Sequence, residues 1–175
     1  RRVPRPPAVR PPSRGTCLYV PIFERRTPRR GRAATATAPG EPYSGEPLET
    51  MTADLRAAYR QAAVNNGGIA GIVPVGDGFL QAVQDGVAVR DPYVGDPSLI
   101  DLWWAEDHFH PSTHGSYLSA LMMFGAITGI DPASFGAAEK AASDLGIAPL
   151  HALRLQGVAS RALAASGHAL ASKPC

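Results

Sequence analysis

Ile69-Ala70-Gly71-Ile72-Val73-Pro74-Val75 is the stretch on which the fold turns. It is short, apolar without alternation and rich in β-branched residues, as expected of a parallel strand covered on both faces. Proline cannot donate to a strand ladder, so Pro74 confines the strand to a sheet edge or marks its end. Upstream, Leu48, Met51, Leu55, Ala58, Tyr59 and Ala62 recur at three-four spacing. They predict a helix from about Leu48 to Val64, stopped by Asn65-Asn66-Gly67-Gly68. Downstream, Gly76-Asp77-Gly78 turns the chain into a short helix, Phe79 to Gln84, that Gly86 ends. Helix, buried strand and helix in succession point to a layered α/β architecture.

Residues 87–101, with Asp91-Pro92 and Gly95-Asp96-Pro97, read as a long irregular crossing of the kind that often carries function. A helix is predicted from about His114 to Thr128, with Tyr117, Leu118, Leu121, Met122, Phe124 and Ile127 as its apolar positions and Gly129 as its stop. Asp131-Pro132 is an N-cap followed by proline at the first helical position and predicts a further short turn. Two more helices are expected, about Ala137–Leu145 and Pro149–Ala165, before a flexible tail, Gly167 to Cys175. There is no internal repeat. The expected chain is mostly helical with a single strand candidate, and one strand cannot make a sheet.

Charge divides the chain. Residues 1–40 hold ten of the fifteen arginines, one acid (Glu24) and eight of the seventeen prolines. That segment is +9 and the rest is −7, so the net +2 conceals two oppositely charged pieces. The arm lacks a periodic apolar face and its charges repel, so residues 1–40 are expected to be disordered and 41–166 to form the ordered unit. Its one apolar island, Cys17-Leu18-Tyr19-Val20-Pro21-Ile22-Phe23, is too short for a signal-peptide core, and nothing in the sequence is long enough to span a membrane. Basic, Pro-rich arms can bind nucleic acid, but this one has no lysine and no regular interleaving of aromatics, which disfavours that partner. Cys17 and Cys175 give no disulfide framework and no metal motif, and the compartment stays open. A chain that begins with Arg1 is expected to be processed or a fragment.

The chemistry concentrates in Asp107-His108-Phe109-His110-Pro111-Ser112 and the following His114-Gly115-Ser116-Tyr117. A carboxylate three residues before an imidazole can fix the ring's tautomer and support its charged form, as a general base requires. The simpler alternative is a helix-leading turn in which Asp107 bonds backbone amides and His110 is only exposed. A second alternative gathers His108, His110 and His114 with Glu106 and Asp107 around zinc or manganese. Pro111 makes the first helical turn a poor place for two of these ligands, and no remote ligand is evident. Trp103 and Trp104 are assigned to packing ahead of an acyl pocket. Met122 and Met123 are assigned to the core, and Ser112 to a helix N-cap. Neither Ser112 nor Ser116 has the glycine-rich elbow that exposes a nucleophile.

Asp107-x-x-His110-Pro111, ahead of the helix at His114, resembles the last conserved block of the SGNH (GDSL) hydrolases. The longer run through Leu118 strengthens the resemblance, as do Phe124-Gly125, Thr128-Gly129-x-Asp131-Pro132 and Ile72-Val73-Pro74-Val75-Gly76. It covers about residues 41–165 and looks like the C-terminal half of the bacterial enzymes. The resemblance implies a flavodoxin-like three-layer α/β/α fold and a serine ester hydrolase that needs no cofactor. His110 would be the general base and Asp107 its orienting carboxylate. In that family a serine attacks the acyl carbon, and a backbone amide, a glycine and an asparagine stabilise the oxyanion. This sequence has no Gly-Asp-Ser block: Gly76-Asp77-Gly78 carries glycine where the serine would stand and follows the wrong strand. A Gly-x-Asn-Asp block is missing as well, since Asn65 and Asn66 end a helix. The expectation is a truncated hydrolase that keeps base and orienter, lacks nucleophile and oxyanion hole, and is inert alone. The abrupt Arg/Pro/Ala bias of residues 1–40 fits a GC-rich gene read in the wrong frame. Alternatively, the chain is a non-catalytic module that docks a partner or itself through open apolar surface.

Overall fold

A computed structural model describes residues 46–173 and, upstream of them, the backbone of Gly15–Tyr19. The rest of the Arg/Pro-rich arm, and Pro174 and Cys175, lie outside the described residues, as does the expectation of disorder placed on them. The elements are β1 (Gly15–Tyr19), α1 (Leu48–Asn65), β2 (Ile69–Pro74), α2 (Val75–Gln84), α3 (Thr113–Thr128), a 3₁₀ turn (Pro132–Ser134), α4 (Lys140–Asp144) and α5 (Pro149–Ala165). The described chain is thus mixed, rich in helix, with one two-stranded sheet.

The predicted strand finds its partner where none was expected. β1 runs parallel to β2, with Thr16 opposite Gly71, Leu18 opposite Val73 and Tyr19 opposite Pro74. Thr16-Cys17-Leu18-Tyr19 are strand-forming residue types within an otherwise Arg/Pro-rich segment. Composition over forty residues hid a five-residue strand.

Helix α2 starts at Val75, directly after Pro74, and not after a glycine turn. Gly76 and Gly78 therefore sit in its first turn, where both are buried. At Gly78 an added Cβ would lie 3.0 Å from Met122 Sδ, so the glycine lets α2 pack closely on α3. Helix α4 is shorter than predicted, because Glu139 caps it by accepting from the amides of Ala141 (2.8 Å) and Ala142 (2.7 Å).

The core is built by α2, α3 and α5. Val75, Phe79, Leu118, Met122, Leu155, Val158 and Leu163 are all buried in one cluster. On α5, Ala152, Leu155, Val158, Ala159 and Ala162 recur at three-four spacing along the buried face. Helices α3 and α5 run parallel, with His114 beside His151 near their N-termini and Gly125 against Leu163 further on. At Gly125 an added Cβ would lie 2.5 Å from Leu163 Cδ1, so this crossing requires a residue without a side chain.

Residues 87–101 are not merely a surface crossing. Val87, Ala88, Val89 and Ile100 belong to the core, as do Leu102 and Trp103 just beyond the segment. The segment closes on itself through Val89 N to Ile100 O (3.0 Å) and Ile100 N to Val87 O (3.0 Å). Only the tip between them is exposed, held by turns in which Asp91 accepts from Tyr93 N and Asp96 from Ser98 N, each at 2.9 Å. The tail also differs from expectation as far as Lys173. Asp131 N donates to Ala171 O (2.7 Å), Ala171 N to Gly129 O (2.8 Å) and Lys173 N to Ser134 Oγ (2.9 Å). Helix α1 packs more lightly, burying only Met51 and Thr52. It is tied to α2 by Arg56 Nε to Asp77 Oδ1 (2.9 Å) and to the 87–101 segment by Arg90 Nη2 to Glu49 Oε1 (2.7 Å). The Arg90 hydrogen bonds hold the Glu49 carboxyl at about 2. Among the described residues, no helix is long and apolar enough to cross a membrane.

Candidate general-base site

The loop from Trp104 to Pro111 holds the Asp-His pair and is closed by backbone bonds and by the Asp107 side chain. Trp104 N donates to His110 O (2.7 Å), and Trp104 O accepts from His108 N (2.7 Å) and Asp107 N (3.2 Å). Trp103 and Pro111 form an isolated antiparallel bridge below it. Ser112 then anchors the start of α3: its N donates to Leu102 O (2.9 Å), its Oγ donates to Asp101 O (2.8 Å), and that Oγ accepts from Gly115 N (3.2 Å). The N-cap predicted for Ser112 is therefore present. Gly115 is required one turn later, because a Cβ there would collide with the carbonyl of Leu102.

Within this frame Asp107 has two tasks. Its Oδ1 accepts from Phe109 N (2.8 Å) and His110 N (3.0 Å), and its Oδ2 lies 2.6 Å from His110 Nδ1. The simpler reading (a carboxylate capping turn amides) and the sharper one (a carboxylate orienting an imidazole) thus describe the same residue. The His110 ring bond, followed by the His110 backbone amide, holds the Asp107 carboxyl far below the usual carboxylate range. In the neutral imidazole the Nδ1 proton faces Asp107, which leaves Nε2 with the lone pair of a base. The Asp107 side chain is 14 % exposed and that of His110 is 56 % exposed, so the carboxylate is covered while the ring faces outward.

Among the described residues, no serine or threonine hydroxyl is hydrogen-bonded to that ring. Ser112 is committed to Asp101 and Gly115, and Ser119 donates to Gly115 O (2.9 Å). The neighbours of His110 are instead aromatic: Phe109 at 5.0 Å and Trp104 at 6.5 Å between ring centroids, both edge-on. Trp104 is exposed, whereas Trp103 packs in the core against Phe79 at 5.3 Å.

The other histidines of the block are dispersed. His108 takes a left-handed backbone (φ 51°), and its ring packs at a tilt of 57° against Tyr93, 4.5 Å between centroids. Its Nδ1 is buried without a hydrogen-bond partner among the described residues. His114 turns away to His151 of α5, with Nε2 and Nδ1 3.2 Å apart. Burial first, and the neighbouring His151 second, push His114 below its ordinary imidazole value. No group of three or more His, Cys, Asp or Glu able to hold a metal ion exists among the described residues, so His108, His110, His114, Glu106 and Asp107 do not converge on one. Two residues had no signal in the sequence: Tyr93, from a loop, and His151, from a helix 37 positions away from His114.

No family model, no curated protein and no solved structure matches the chain.

Proposed function

We propose that the chain carries the general-base half of an SGNH/GDSL-type ester hydrolase and does not itself turn over esters. The observation that carries this reading is the Asp107 Oδ2 to His110 Nδ1 contact of 2.6 Å, which leaves Nε2 as the free nitrogen. The run Asp107–Leu118 supplies the resemblance, and the missing Gly-Asp-Ser and Gly-x-Asn-Asp blocks supply the limit. Asp107 holds the proton-bearing nitrogen, and Nε2 would take the proton from a serine hydroxyl provided by the remainder of a flavodoxin-like three-layer fold. An ester is then the substrate of the complete arrangement. The parallel β1–β2 pair, flanked by helices, is compatible with the edge of such a sheet.

Imidazole assistance without a nucleophile gives no acyl-enzyme, so the whole rate advantage of covalent catalysis is lost. The test is hydrolysis of p-nitrophenyl acetate and butyrate by the chain and by His110→Ala. The expected result is no more than the slow, non-saturating turnover that an exposed imidazole gives with such activated esters. Saturable turnover that disappears in His110→Ala would mean that the chain supplies its own serine nucleophile, and the proposal would fail. The family assignment has a separate test in the DNA upstream of the codon for Glu41. One frame there is expected to encode a Gly-Asp-Ser block, and the assignment fails if none does.

A second reading, a non-catalytic self-associating module, is favoured by exposed apolar residues: Ile127 is 68 % exposed and Leu150 58 %. Size-exclusion chromatography separates the two. A stable oligomer without turnover supports the module, and a monomer removes it.

A further inference from the structure

The pair His114–His151 is unused by the proposed base chemistry and lies between two helices whose relative position is fixed. His114 stands in the first turn of α3 and His151 in the first turn of α5. The helices run side by side in the same direction, held by the close Gly125–Leu163 crossing. The two rings are therefore presented to each other by rigid elements, with neither side chain fully buried.

From this geometry we infer that His114 and His151 form a chelating site for a borderline divalent transition-metal ion of the zinc class. Two imidazole nitrogens bound at about 2.0–2.1 Å to a tetrahedral zinc lie about 3.3–3.4 Å apart, with ring centroids about 5.2 Å apart. Here His114 Nε2 and His151 Nδ1 are 3.2 Å apart, and the centroids are 5.2 Å apart with planes inclined at 60°. A straight N–H···N bond of the same length would place the centroids at about 5.5 Å, since hydrogen bonds favour near-linear donors. The shorter separation means that the two ring axes are not collinear with the line between the nitrogens, as chelation of a single ion requires. Imidazole suits zinc, copper and nickel.

No third His, Cys, Asp or Glu completes the group among the described residues. The remaining coordination positions then fall to water or to an exogenous ligand, with one protein ligand fewer than the three of an open zinc site. Binding is accordingly weaker than at a four-ligand structural site, and the protein folds without the metal. This inference is independent of the Asp107–His110 reading.

The test is calorimetric titration of the full chain, first stripped with chelator, with zinc chloride. Thermal melts with and without zinc accompany it. The expected result is one zinc per chain and a raised melting temperature, both lost in His114→Ala and in His151→Ala and both retained in His110→Ala. His151→Ala changes a partly exposed side chain near a helix end, so its fold is expected to survive, and circular dichroism checks this. If wild type binds no zinc, or if either of the two variants keeps the full stoichiometry and shift, the site does not exist and the rings share only a hydrogen bond.

Discussion

Asp107 shows how one side chain can serve local structure and site chemistry together. It satisfies two amides of a tight loop and fixes the tautomer of His110, so removing its charge separates the two tasks. In Asp107→Asn the amide oxygen can still accept from Phe109 and His110, but the charge is gone. The sign of the pH effect follows from the depressed carboxyl. Above the unfolded value near pH 4 the ionised form stabilises the fold, and this contribution is lost as pH falls toward the folded value. Denaturant midpoints measured from pH 7 to pH 2 should therefore fall more steeply in wild type than in Asp107→Asn. Equal slopes would show that the carboxylate contributes nothing through its charge. Gly115 makes a different demand, set by a backbone carbonyl that cannot swing aside. Gly115→Ala should lose about 1–3 kcal/mol in urea unfolding despite alanine's better helix propensity. A neutral or stabilising result would mean that α3 can slide away from Leu102.

At the scale of elements, α3 is the organiser. Its first turn is capped by Ser112, its middle contributes Leu118 and Met122 to the core, and its end crosses α5 at Gly125. Ser112→Ala removes both the cap and the bond to Asp101 O, and should cost about 1 kcal/mol. A loss near zero would assign the helix start to Gly115 packing alone. A buried polar chain links α3 to α4 and α5. Gln156 Nε2 donates to Tyr117 OH (3.0 Å) and to Gly136 O (3.1 Å), and Tyr117 OH donates to Glu139 Oε2 (3.1 Å). Burial pushes the Tyr117 phenol up to about 12, which keeps it a donor at every ordinary pH. Tyr117→Phe takes one partner from each of Glu139 and Gln156, and should cost about 1–2 kcal/mol, measured by chemical denaturation. The boundaries of α1, α3 and α5 were legible from short signals, whereas the starts of α2 and α4 were not. Asn65-Asn66-Gly67 ends α1, Ser112 opens α3 and Gly129 closes it with a left-handed φ of 71°. Pro149 sits at the start of α5. Local residues decide such boundaries, because the unpaired amides and carbonyls of a helix end are satisfied within a few positions.

For the molecule as a whole, the balance rests on one core and a lightly attached periphery. Leu155 is fully buried between α5 and its neighbours, and Leu155→Ala should lose about 2–5 kcal/mol of unfolding free energy. The Arg161–Asp85 pair, 2.5 Å between partners, is far more exposed and should contribute under about 1 kcal/mol when Arg161 is replaced by Ala. If the two variants unfold at the same denaturant concentration, the division into core and periphery is mistaken. The apolar residues left open on α3 and α5 belong to this scale too, since only the assembled surface shows whether they form one patch or stand apart.

The sequence by itself determined where α1, β2, α3 and α5 lie, and it placed the carboxylate beside the imidazole. Those features depend on periodicity, stop residues and a three-residue spacing, all of which act within a few positions of chain. Only the tertiary structure decided that Gly15–Tyr19 pairs with β2 and that Val87–Val89 and Ile100–Trp103 enter the core. It also decided that His114 meets His151 instead of His110. Each of these joins residues far apart along the chain, and no local pattern encodes which distant partner will close a hydrogen bond or exclude water from an apolar face.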